Sequence, residues 1–103
     1  MKFLSRSEEL VLMMISKVEG DVYGVLLKEH LEKVTGKYWS IGSVYVPLDR
    51  LESKGFVKSY TGEASSKRGG RSKRLYEITD EGRQQLTEAQ SLYEKMASYQ
   101  PLV

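Results

Sequence analysis

Lys54, Lys58, Lys67, Arg68, Arg71, Lys73 and Arg74 fall between positions 54 and 74, a window that holds a single acid, Glu63. Seven bases against one acid give this window +6, which leaves −4 on the rest of a chain whose net charge is +2. Ammonium and guanidinium groups concentrated in this way attract a polyanion and release counterions from phosphates. A solvated loop that keeps the protein soluble would have a similar composition. Gly69 and Gly70 lie inside the segment, where they allow a tight turn and a close backbone approach.

Other chemistries find little support. The chain has no cysteine and one histidine, His30, which reads as an exposed residue on a helix. That excludes a thiol nucleophile, a disulfide framework and a cysteine metal site, and argues against zinc. No nucleophile–base pairing, metal cluster or GxxxxGK phosphate loop is evident, so the expectation is a protein that is not an enzyme, with no catalytic residue, metal or cofactor. The longest apolar run, Leu10 to Ile15, is too short to span a bilayer and follows Glu8-Glu9, unlike a signal peptide. With no cysteine staples, a cytoplasmic protein without membrane attachment is expected.

The elements around the basic segment must position it. Phe56 to about Gly62 and Lys73 to Thr79 pattern as strands joined by the charged tip. Upstream, Ser5-Arg6-Ser7-Glu8 fits a capping box, behind which Leu10, Val11, Met14, Ile15 and Val18 recur at helical spacing to an end near Glu19-Gly20. Asp21 is placed to cap a second helix with the stripe Tyr23, Leu26, Leu27, Leu31 and Val34, closed by Gly36. Gly24, early in that helix, predicts close packing against a neighbour. Ser40 is a cap for a third helix ending at Lys54-Gly55. Val44, Leu48 and Leu51 would face inward; Ser43, Val46, Arg50 and Ser53 would face outward, with Lys54 at the edge. Pro47 removes a backbone donor and crowds the Ser43 carbonyl, which predicts a late start or a bend in the first turns.

The order helix, helix, helix, strand, charged tip, strand, helix defines an α+β, mainly α fold. It is a winged helix-turn-helix of three helices and a two-stranded wing over residues 1–79, followed by a C-terminal dimerisation helix and tail over 80–103. In such a domain the third helix enters the major groove and the wing lies along the backbone or in the neighbouring minor groove. Lys67, Arg68 and Arg71 would then meet phosphates. The last helix carries Leu86, Ala89, Tyr93 and Met96 at 3-4-3 spacing, a heptad pattern. Packing on its own domain would explain the pattern. A seam with a second copy also explains why no later segment covers the helix.

The stretches "YGVLLKEHL", "GSVYVPLDRLESKGFV", "GEASSKRGGRSKRLYEIT" and "TDEGRQQL" together resemble the PadR family of bacterial transcriptional regulators, in particular short members with a single C-terminal helix. The resemblance spans roughly residues 5 to 90. It implies a homodimer, joined through the N- and C-terminal helices, that represses transcription at a near-palindromic operator. It assigns double-stranded DNA contact to the third helix and the wing: Ser43 and Arg50 to base edges or phosphates, Tyr45 to a phosphate, Ser40 to a cap that also offers a phosphate contact, and Lys54, Lys67, Arg68 and Arg71 to phosphates or the minor groove. Relatives often place proline directly after the tyrosine; here Val46 stands between Tyr45 and Pro47. Some members bind planar aromatic effectors at the dimer interface, so a small-molecule effector stays open, with Trp39 read as packing the turn. The competing reading is a winged-helix protein-interaction module without direct DNA binding. RNA binding is less favoured, since Tyr60 and Tyr76 are the only aromatic candidates for a stacking platform on the strands.

Overall fold

The computed structural model describes residues 3–62 and 73–102. The Ser5 hydroxyl accepts from the Glu8 amide at 3.2 Å and the Glu8 carboxylate accepts from the Ser5 amide at 2.7 Å, which completes the capping box and starts α1 (Arg6–Lys17). α2 spans Gly24–Thr35, and Gly36 closes it at φ +68°. α3 (Ile41–Ser53) follows, capped by the Ser40 hydroxyl accepting from the Ser43 amide at 3.1 Å. β1 (Val57–Thr61) and β2 (Arg74–Ile78) form an antiparallel pair with Val57 opposite Ile78 and Thr61 opposite Arg74. α4 (Asp80–Ser98) completes the order. The elements match a winged helix-turn-helix with an added C-terminal helix.

The core lies where α1, α2 and α3 meet the base of the sheet: Val11, Leu12, Leu27, Leu31, Val44, Leu48, Leu51 and Val57 are all at most 2% exposed. Burial of these side chains fixes the rotation of α3, since its inward stripe is the predicted one, with Pro47 added.

Three expectations are corrected. Asp21 does not cap α2. Val22 is buried and its carbonyl accepts from the Tyr76 amide at 2.8 Å, so the chain stays extended along β2 until Tyr23, which caps without a side-chain hydrogen bond. Val34 is 75% exposed on the last turn of α2, outside the buried stripe. Pro47 does not delay α3, which runs from Ile41 through the proline. A mid-helix proline costs about 3 kcal/mol. The Ser40 cap together with burial of Val44, Pro47, Leu48 and Leu51 offsets that cost.

Glu8 has a second task. Its side chain is 4% exposed, and its other oxygen receives Lys54 Nζ at 2.7 Å, tying the start of α1 to the end of α3. Burial opposes its ionisation, yet the hydrogen bonds from Lys54 and from the Ser5 amide and hydroxyl, with the Lys54 charge, hold it below the usual 4.5. A carboxyl lowered in the folded state contributes stability above its ordinary value, and that contribution is lost as pH falls through the folded value. Glu8→Gln is therefore expected to cost about 2 kcal/mol at pH 7. The difference from the wild type should narrow below about pH 4, as read by urea unfolding at both pH values. A difference independent of pH would refute the charge role.

α4 packs on α1 through Leu86, which is 7% exposed, and the Tyr93 hydroxyl donates to Glu9 at 2.6 Å. Beyond this the helix is uncovered: Met96 and Tyr99 are each 69% exposed. At its start the Thr79 hydroxyl accepts from the Gly82 amide and donates to the Gly55 carbonyl. A Cβ at Gly82 would overlap the Phe56 carbonyl oxygen, so only glycine lets α4 leave the sheet at this angle.

Candidate nucleic-acid interface

α3 presents Ser43, Val46, Arg50 and Ser53 on its outward side, as its periodicity predicts, while Val44, Leu48 and Leu51 hold the opposite side in the core. Ser40 is exposed at the cap, near the helix N-terminus where an anion is favoured. The Ser43 hydroxyl donates to the Ser40 carbonyl at 2.6 Å. Its proton is thereby committed, and its oxygen remains an acceptor suited to a base amino group rather than to a phosphate. Arg50 is exposed and forms no ion pair with a described residue. Glu52, two residues further along α3, meets Arg74 at 3.6 Å and accepts from the Ser59 hydroxyl.

Tyr45 is half-buried. Its ring lies over Gly24 so closely that a Cβ there would overlap the ring and its hydroxyl, which is the close packing expected of that glycine. The phenol borders a small cleft shared with Tyr23, Val25, Lys73 and Arg74. Lys73 Nζ sits 3.7 Å from the centre of the Tyr23 ring, a cation–π contact that fixes the root of β2 against α2.

The basic window thus divides. Lys54 is engaged by Glu8, Lys58 by Glu77 at 3.6 Å and Arg74 by Glu52. An ammonium held at 2.7 Å by a buried carboxylate must break that pair before it reaches a phosphate, so Lys54 is placed as a brace of α3. Lys67, Arg68 and Arg71 lie outside the described residues.

Two cations were not apparent from the window. Arg6 and Lys37 join Arg50 around an open cleft of about 770 Å³ bounded by the start of α1, the turn after α2 and the outward side of α3. No described acid lines it; Leu10, Trp39, Val46 and Pro47 supply apolar wall. Lys37 directly follows the Gly36 cap, so its place in the helix-turn-helix turn was legible. Arg6, distant in sequence, had no such signal. Trp39 packs the turn as expected: its indole N–H donates to the Thr35 hydroxyl at 3.1 Å and its amide to Glu32 at 3.1 Å. The Glu32 carboxyl is held below its ordinary value, first by that amide and then by Lys28. His30 is half-buried, contrary to its expected exposure.

Of the predicted contacts, the structure brings Ser43 and Arg50 to one cleft, leaves Ser40 exposed at the helix cap, and sets Tyr45 on the separate cleft beside Tyr23 and Lys73. Among the described residues no helix is long and apolar enough to cross a membrane.

The comparisons with known proteins agree with this architecture. The chain is similar to a PadR family transcription regulator from hypervirulent Clostridium difficile R20291, with 25% identity over 90% of this chain and 92% of that one and a TM-score of 0.74. A PadR-like transcriptional regulator from Bacillus cereus strain ATCC 14579 shares 28% identity over 88% of this chain and 84% of that one, with a TM-score of 0.71. A transcriptional regulator from Clostridium thermocellum, 23% identical over 92% of each chain, has the same fold at a TM-score of 0.72. No curated protein matches the chain. The model of the transcriptional regulator PadR-like family matches residues 11–88, a span that contains the helix-turn-helix, both strands and the first half of α4, and the chain belongs to that family of transcription regulators.

Proposed function

We propose that this regulator is a sequence-specific DNA-binding repressor that works as a homodimer on a near-palindromic operator, within the cytoplasm and without a cofactor. Residues 1–79 read DNA and residues 80–103 pair the subunits. The observation that carries the reading is the outward side of α3, where Ser43 and Arg50 stand unburied beside Arg6 and Lys37, around a cleft lined by no described acid. Ser40 and Tyr45 reach phosphates at its ends. Lys67, Arg68 and Arg71 extend the contact along the backbone or into the minor groove.

Two such surfaces engage one side of a duplex together when they sit about one helical turn apart, roughly 34 Å. In this reading Ala89, Tyr93 and Met96 set that distance through the dimer, with Leu86 anchoring α4 to α1 of its own subunit, and a small-molecule effector would act by repacking the seam.

Salt dependence separates this reading from a protein-interaction module. Affinity for duplex DNA is expected to fall linearly on a log–log plot, with a slope of about −0.9 per neutralised phosphate and about six such phosphates or more for the dimer. Absent or salt-independent binding would favour the module.

A further inference from the structure

Val46 is left unexplained by phosphate or hydrogen-bond chemistry. At 100° per residue it stands at the centre of the outward side of α3, with Gly42, Ser43, Asp49, Arg50 and Ser53 around it. It is 49% exposed although valine is a poor helix former with nothing to gain from water. Single exposed apolar residues are common on protein surfaces. What sets this one apart is its position in the middle of the polar groups proposed to read the groove.

The major-groove edges of the four base pairs present donors and acceptors, and only thymine adds an apolar group, its C5 methyl. Resting on the DNA-reading proposal above, we infer that Val46 is a specificity-determining residue that selects thymine through contact with that methyl. The neighbouring side chains fix where the thymine lies. Val46 and Arg50 are four residues apart, roughly 6 Å along the helix axis at 1.5 Å per residue. With base pairs stacked at about 3.4 Å, the thymine stands about two base pairs from the base read by Arg50, for which guanine is the best bidentate partner. Ser43 lies on the other side, roughly 4.5 Å from Val46 along the same axis.

The test uses the full chain and synthetic duplexes. Sequences bound by wild type, Val46→Ala and Arg50→Ala are selected from randomised duplex DNA. Each thymine of the duplex preferred by the wild type is then replaced singly by deoxyuridine, which lacks only the methyl. Alanine is the better helix former at an exposed site, so Val46→Ala should stay folded.

The wild type is expected to lose about fourfold in affinity at one thymine of each half-site, the worth of one buried methyl, and about fifteenfold when both are replaced. Val46→Ala should be nearly indifferent to the same replacements and should no longer select thymine there. Arg50→Ala should relax selection about two base pairs away. Sequence-selective binding in which every deoxyuridine acts equally on wild type and Val46→Ala would overturn the assignment of Val46 alone. Failure of the wild type to retain any duplex would overturn it together with the DNA-binding reading.

Discussion

Met96→Lys is expected to convert the protein to monomers and to lower its affinity for a two-half-site duplex about a hundredfold or more. Met96 is 69% exposed in a single chain and follows Tyr93 in the heptad pattern of α4, past the part of the helix that rests on α1. Lysine at this position suits the last turn of a helix and disturbs no packing within the subunit, so the folded monomer is kept. The weaker binding comes from avidity: once the first half-site is bound, linkage makes engagement of the second intramolecular, which is worth about 10²–10⁴ in affinity. Tyr93 is a less clean choice because its hydroxyl already holds Glu9. Light scattering gives the mass and titration of one- and two-half-site duplexes gives the affinities. A dimer of unchanged affinity would remove α4 from the seam.

The joint change Arg68→Ala and Arg71→Ala is expected to weaken binding to all duplex sequences alike, by roughly a hundredfold for each half-site engaged, with each guanidinium making one charge-assisted hydrogen bond worth about 1.5 kcal/mol. The log–log salt plot should flatten by about one unit for each phosphate that is no longer neutralised, and the selected sequence should not change. The contrast with Arg50→Ala is the informative part. On the proposed reading Arg50 reads bases, so its removal should alter preference, and the wing holds the backbone, so its removal should alter strength. Affinity and slope both unchanged would reduce the basic tip to a solubility feature.

Much of the fold was legible because local chemistry and tertiary packing agree. Ser5 and Glu8 form the expected reciprocal cap, Gly36 takes the left-handed conformation, and Gly24 gives way to the Tyr45 ring. The inward and outward sides of α3 followed from periodicity alone. The departures arose where a distant group intervened. Asp21 fits a local cap, but the Tyr76 amide holds Val22 in an extended path. Pro47 alone would delay or bend α3, yet the helix starts without delay at Ile41, with Val44, Pro47, Leu48 and Leu51 buried to carry it through the proline.

The candidate site shows the same division. Ser40, Ser43 and Arg50 could be assigned from one helix. The pairing of Lys54 with Glu8 spans 46 positions, and the presence of Arg6 and Arg50 on one cleft depends on how α1 lies against α3; no spacing within a single element encodes either.

The central claim is that the outward side of α3 lies against the duplex, twice, on one side of it. Since the chain has no cysteine, Ser53→Cys offers a unique attachment point at the exposed end of α3 for a DNA-cleaving chelate, with Ser98→Cys on α4 as the control. The account predicts that the Ser53 conjugate cuts a selected duplex in two narrow windows about one helical turn apart. The Ser98 conjugate should cut it weakly and without such windows. Equal, unlocalised cutting from both positions would contradict it.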